Sequence, residues 1–355
     1  MTSESNDSLP TTLVLTLDYE LFFDRSGSVE NCLLRPSAML TDFAAKHGLR
    51  LTFYVDVGMI VWLERHAGKD RRFARIGDTI KRDVERIGCA GHEIGLHIHP
   101  HWEDTRWEND GWSFAGTRYQ LGQFSPGEIS DIVDVYSNCL AGIANDEIES
   151  FRAGGFCVEP FDVLGPSLAA NNIWIDSSVV PGAFLLDVAK GFDFRHAPSD
   201  EFWFFNASPL SPEADGSFCE IPLIGFLVPT GFYGKRMFHR LRVFSRFKIF
   251  GDGTSRKPGK LEIVRRLVGT RPIVELSIDE PKVATLREEA RARQDRKVWS
   301  ILGHPKLLSS RSLELLRQFK TERGIQRSCS VTEIARDVRS RKSATLTAGR
   351  LGKQA

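Results

Sequence analysis

Gly91-His92-Glu93-Ile94-Gly95-Leu96-His97-Ile98-His99-Pro100-His101-Trp102 is the stretch on which the fold turns. The apolar run Ile94-Gly95-Leu96 leads straight into histidines, as a core strand does when its end carries functional side chains. His97 and His101 are four positions apart. In a helical turn that spacing spans about 6 Å and puts both imidazoles on one face. In an extended chain it spans about 13 Å, too far for one ion. The pair therefore predicts a helical turn that clamps a metal, with His99 pointing away from it. A lone histidine is more often a surface or capping group. Acidic strand ends elsewhere in the chain lift this cluster above that reading.

Working outward, Leu13-Val14-Leu15-Thr16-Leu17 is a continuous apolar run, the pattern of a strand buried on both faces. It ends in Asp18-Tyr19-Glu20. Pro36 to His47 has helical spacing and stops at Gly48, a suitable left-handed stop. Leu49 to Val55 reads as a second strand ending at Asp56. Ile76 to Ile87 is amphipathic and meets Gly88. Ser125-Pro126 caps a helix that runs to Ala144. Phe151 to Phe156, Ile173 to Ser178, Phe218 to Leu223 and Val298 to Leu302 complete the strand ends. Alternating strands and helices with polar strand C-termini predict an α/β fold, a barrel or a doubly wound sheet. About six functional-looking strand ends favour the barrel.

The chain has 355 residues, 41% hydrophobic and 26% charged, with a net charge of +1. These are the proportions of an ordinary globular protein, and the charge gives no reason to expect nucleic acid. The six cysteines include no Cys-x-x-Cys pair, which fits reduced thiols better than a disulfide framework. Residues 1–10 read as a polar lead-in with no secretory signal, 11–335 as one domain, and 336–355 as a basic disordered tail. No apolar run approaches a membrane span. The expected location is the cytoplasm, extending to the inner membrane surface.

Two histidines and one carboxylate leave a divalent ion an open position for water, the arrangement of catalytic zinc. Asp18 and Glu20 are both candidates for the carboxylate, since they end the first strand and face the same mouth.

Thr16-Leu17-Asp18-Tyr19-Glu20 resembles the first motif of the polysaccharide deacetylases, the NodB-homology or carbohydrate esterase family four proteins. Gly91 to His101 is similar to their second motif, Phe151 to Phe156 to the arginine-bearing third, Asp176-Ser177-Ser178 to the fourth, and Leu302-Gly303-His304-Pro305 to the fifth. The five run in family order over most of the chain. The resemblance implies a distorted (β/α) barrel of about seven parallel strands. It also implies hydrolysis of an N-acetylated amino sugar or polysaccharide with zinc as the expected metal. Tyr19 departs from the pattern, which has a second aspartate there. Glu20 is assigned as metal ligand because its longer side chain reaches from the next position, with Asp18 as base; the reverse assignment stays open. Ile98 replaces a small hydroxyl residue and removes a hydrogen bond behind the metal.

On this resemblance the metal ligands are Glu20, His97 and His101. Asp18 takes a proton from water, His304 protonates the leaving amine, Arg152 holds Asp18 ionised, and Asp176 pairs with His304 to keep it protonated. Structural readings stand beside these: a salt-bridge Arg152, a turn-starting Asp176, a loop His304, and a tight turn at Gly154-Gly155. Other outcomes on the same scaffold are hydrolysis of another C–N or ester bond, or a catalytically inactive glycan-binding protein.

Residues 102–123 and 232–260 interrupt the alternation as insert loops. In the first, Trp102, Trp112 and Tyr119 either stack on sugar rings or pin the loop to the barrel, with Gly155 close to the substrate. The second mixes Phe with Lys and Arg. It is either a basic aromatic edge that meets anionic lipid or a lipid-linked glycan, or a solvated lid with core phenylalanines.

Overall fold

The computed structural model describes residues 9–351 except 24, 109–110, 115–117, 188–190, 229–246, 255–272, 281, 287–288 and 290–295. Most of the 232–260 segment, and with it the expected lipid contact, lies outside the described residues.

The continuous apolar runs become strands because only the middle of a sheet covered on both faces buries them. β1 (Thr12–Tyr19) is buried at all eight positions, and β2 (Leu51–Asp56) and β3 (Glu93–Ile98) follow the same pattern. β4 (Ser150–Ala153), β5 (Ile175–Asp176), β6 (Trp203–Phe205), β7 (Phe218–Glu220), β8 (Val298–Gly303) and β9 (Arg327–Ser328) complete the main sheet. Its order is β6-β7-β5-β4-β3-β2-β1-β8, with β9 also paired to β1. All pairings are parallel except that of β6 with β7. The result is a curled parallel sheet with an antiparallel edge. The resemblance implies about seven parallel strands; the described sheet has nine strands, eight of them parallel.

Helices cover the sheet: α1 (Arg35–His47), α2 (Val57–His66), α3 (Arg71–Cys89), α4 (Pro126–Ala144), α5 (Phe161–Ala170), α6 (Ser310–Glu322) and α7 (Val331–Leu351). Their ends obey local chemistry. α1 stops at Gly48, whose φ of 59° suits glycine. Ser125 and Glu128 form a reciprocal capping box at the start of α4. α2 is the element the periodicity conceals, since seven of its ten residues are buried and it leaves β2 with no loop between them. α7 extends through most of the segment that composition marks as a disordered tail, because Ile334, Ala335 and Val338 pack beneath the sheet. Fully burying Ile334 and Val338 contributes about 1.5–3 kcal/mol each.

Two consequences position the site. The eight parallel strands direct their C-terminal ends to one rim. The register sets Asp18 of β1 beside Tyr54 of β2, Asp56 of β2 beside His97 of β3, and His97 beside Arg152 of β4. No helix among the described residues is long and apolar enough to cross a membrane.

Candidate metal centre and active site

Side chains two apart on an extended chain share a face. That rule builds the carboxylate half of the site. Asp18 and Glu20 project together, while Tyr19 points the other way. Its hydroxyl donates to Asp83 Oδ2 at 2.9 Å, in a network with Ser37 and Arg86. Glu20 thus reaches the site by strand alternation rather than by its length.

The same rule builds the histidine half and corrects the sequence expectation. β3 runs to Ile98, and His99 is still extended at φ −105°, ψ 96°. His97 and His99 therefore share a face, with ring centroids 4.6 Å apart. The helical turn expected to join His97 and His101 does not form. Pro100 opens a 3-10 turn instead, and His101 falls inside it. Glu20 Oε2 is 2.6 Å from His99 Nε2 and 3.5 Å from His97 Nε2. Donor atoms of Glu20, His97 and His99 all lie within 4.8 Å of one another, and His101 is not in this group.

Glycines admit this packing. A Cβ on Gly154 would stand 2.5 Å from His99 Nδ1, and one on Gly155, at φ +59°, 2.8 Å from Tyr119. The Gly154-Gly155 pair lets two site rings approach the backbone as well as making a turn.

The donor set fits a divalent cation. Among the described residues, buried Glu20 Oε2 and His97 Nε2 make no aligned hydrogen bond, although Oε2 stands at ion-pair distance from both imidazoles. Orphaned buried polar atoms are rare and costly, so two that converge on one point mark a place for a ligand. His97 Nδ1 is 2.9 Å from the Arg152 carbonyl oxygen. Donation there leaves Nε2 with a free lone pair, the usual arrangement behind a metal-bound imidazole. Burial lowers the His97 pKa, but the Asp18 and Glu20 carboxylates outweigh it and raise it. A cation among the same groups answers the same negative charge. For Glu20, burial works upward, yet Lys306 first and His99 next hold the carboxyl well below its ordinary range.

Asp18 lies to one side. Its Oδ1 accepts from Arg152 Nη1 at 2.7 Å, and its Oδ2 is 3.9 Å from His97 Nε2 and 3.7 Å from His304 Nε2. Arg152 is fully buried. It also donates to the Ser177 carbonyl at 2.7 Å and to Ser177 Oγ at 2.9 Å, with its guanidinium over the Tyr54 ring. A planar five-donor fork suits this task.

His304 follows β8, but Asp176 is not its partner. Asp279 holds it twice: Oδ2 is 2.8 Å from Nδ1, and Oδ1 accepts the His304 backbone N–H at 2.7 Å. Burial lowers the His304 pKa, and Asp279, with Asp18 and Glu20 behind it, more than reverses this, pushing it up to about 9. Asp176 is separated from His304's strand by four others in the sheet and is engaged elsewhere. Its Oδ1 accepts from Ser178 Oγ at 2.6 Å, and Glu220 stands opposite in the register. Burial raises both carboxyls, Glu220 well above its ordinary range. Asp279 was missed because Ile273–Glu275 is a separate short hairpin strand. The visible signal was the alternation Leu276-Ser277-Ile278 ending in an aspartate.

Asp56 is a further buried carboxyl beside the histidines. Burial pushes it up to about 6, Trp102 Nε1 donates to its Oδ2 at 2.7 Å, and its Oδ1 has no partner among the described residues. Trp102 is only 1% exposed, so it anchors the loop. Trp112 packs edge-on against Trp102 and Trp107. Tyr119 stacks on His101 at 6.1 Å, while Phe23 and Phe114 close round the same ring. Both nitrogens of His101 lack partners among the described residues, and burial holds its pKa well below the ordinary value.

No family model matches the chain. No curated protein matches it either. Among solved structures it is similar to a protein of Mycobacterium smegmatis provisionally named a polysaccharide deacetylase. The identity is 17% and the TM-score 0.54, over 95% of this chain and 93% of that one. The chain has the polysaccharide-deacetylase fold. A family 4 carbohydrate esterase from Streptomyces lividans in complex with acetate aligns at 10% identity and TM-score 0.39, over 91% of this chain and 93% of that one. The carbohydrate esterase family 4 pseudoenzyme BA3943 of Bacillus anthracis aligns at 12% identity and TM-score 0.41, over 91% of this chain and 65% of that one. The fold assignment rests on the first of these likenesses.

Proposed function

We propose that the protein is a metal-dependent hydrolase that removes acetyl groups from an N-acetylated amino sugar or polysaccharide, with zinc as the metal. The observation that carries this reading is the convergence of Glu20 Oε2, His97 Nε2 and His99 Nε2, two of them orphaned, beside Asp18 and His304. Glu20, His97 and His99 would hold the ion. His101 is the alternative ligand that the family spacing suggests. When bound, the metal supplies a Lewis acid for the acetyl carbonyl and lowers the pKa of water.

The chain's own groups do the rest. Asp18, fixed by Arg152, turns Oδ2 toward the site and accepts the proton of the attacking water. His304 carries a proton at Nε2 near neutral pH, because Asp279 holds Nδ1, and delivers it to the departing amine. The 3.7 Å between Asp18 Oδ2 and His304 Nε2 exceeds a direct hydrogen bond, so neither atom satisfies the other and both can turn to a reacting group beside them. Arg152 orients the base without touching the substrate. The buried ring of His101 and the half-buried rings of Phe114 and Tyr119 exclude water from one side.

The deciding experiment is acetate release from a panel of N-acetylated oligosaccharides, with the metal content of the same preparation measured. Acetate release that needs zinc supports the reading. A preparation that takes up no zinc and releases no acetate from any member sinks it.

A further inference from the structure

Lys306 is the cation that, among the described residues, forms an ion pair with Glu20 as Arg152 does with Asp18, and the proposed hydrolysis leaves it without a task. It lies in the 3-10 turn Pro305–Leu307, directly after His304, and its side chain is 5% exposed. Nζ donates to Glu20 Oε1 at 2.8 Å and to the Leu21 carbonyl oxygen at 2.6 Å. The rings of Phe22 and Phe23 lie about the ammonium at 5.0 and 5.1 Å. A lysine loses much conformational freedom on burial, and a charge taken out of water must be matched. Here the match is a carboxylate whose other oxygen belongs to a metal group.

The two oxygens of Glu20 are thus divided. Oε1 is taken by Lys306, while Oε2 faces His97 and His99 with no aligned hydrogen bond. A glutamate free at both oxygens can occupy two coordination positions. Catalytic zinc needs three protein ligands and one position kept for water. A fixed positive charge beside the ligand also opposes a second cation, which weakens metal binding.

We propose that Lys306 is a positioning residue that withholds Oε1 of Glu20 from the metal, so that the ion takes this carboxylate through Oε2 alone and keeps a place for water. The proposal rests on the metal-centre reading above. Lys306 lowers metal affinity in exchange for an open site. No proton is transferred to or from it.

The test uses the full chain with zinc and cobalt(II) ions and no substrate. Lys306→Met is expected to bind zinc at least about tenfold more tightly than wild type. Its cobalt(II) visible bands should weaken, as they do when coordination rises from four. Lys306→Arg keeps the charge and should stay within about threefold of wild type. Lys306→Gln serves as a second neutral variant if the methionine variant does not fold. Zinc affinity that is unchanged or weaker in the neutral variant, or a wild-type cobalt(II) spectrum already as weak as that of a six-coordinate ion, overturns the proposal. A wild-type protein that takes up no zinc overturns the metal centre itself. Normal wild-type zinc uptake with wild-type behaviour in the neutral variants overturns only the role of Lys306.

Discussion

Arg152 donates through Nη1 to Asp18 Oδ1 at 2.7 Å, and both groups are buried. The guanidinium spends its remaining reach on Ser177, so one fork ties the end of β4 to the end of β1 across two intervening strands. Removing one partner strands the other charge out of water, at a cost of about 3–5 kcal/mol. Arg152→Met should lower the urea midpoint accordingly and abolish acetate release. Arg152→Lys restores a charge without the fork and should recover part of the stability, while kcat stays at least about tenfold down. Full activity in the lysine variant would show that the fork does not position the base.

Strand alternation and helical spacing make opposite predictions about which histidine holds the metal. The former pairs His97 with His99, the latter His97 with His101. His99→Ala should lower zinc affinity by about two orders of magnitude or more, and His101→Ala by much less. Titration of the purified variants with zinc, measured by competition with a chelator, reads both. Equal losses would place His101 in the ligand shell.

The contrast shows what the sequence displayed. Leu13–Leu17, Leu51–Val55 and Val298–Leu302 are apolar but for one small hydroxyl residue each, so their burial in a parallel sheet was legible, and the polar rim followed from it. Asp18, Glu20, His97, Arg152 and His304 stand at or beside the ends of such strands, where the same reading expects polar residues. The geometry of His99 was hidden because a four-residue interval points to a helix only if the backbone turns there. Here the strand persists to Ile98 and Pro100 delays the turn. α2 was hidden because it is apolar nearly all round and so has no readable face. Asp279 and Lys306 were hidden because their partners, His304 and Glu20, lie 25 and 286 positions away.

Tyr19 supplies a test of that alternation. Its side chain faces Asp83, away from Asp18 and Glu20. Tyr19→Phe removes one buried hydrogen bond and should cost about 1–2 kcal/mol in chemical denaturation. Zinc affinity and acetate release at saturating substrate should stay within about twofold. A loss of metal binding without a loss of stability would place the tyrosine in the site.

Asp279 and His304 set a pH dependence that can be read on metal-free protein. The His304 pKa in the folded chain is raised to about 9, against about 6.5 when unfolded. A raised histidine pKa means that the folded state holds the proton more tightly. The stabilisation is therefore fully present below about pH 6.5 and is lost as pH rises through about 9. Asp279→Asn keeps an oxygen for the His304 backbone N–H but removes the largest of the charges that oppose burial, ahead of Asp18 and Glu20. The variant should lack most of this contribution. Urea denaturation of chelator-treated wild type and variant, compared from pH 6 to pH 10, isolates the term, because other groups titrate in both proteins. The stability gap should be widest at pH 6 and close as pH approaches 10. A gap independent of pH would mean that Asp279 supports His304 by geometry alone. The acid in the proposed hydrolysis would then need another source for its raised pKa.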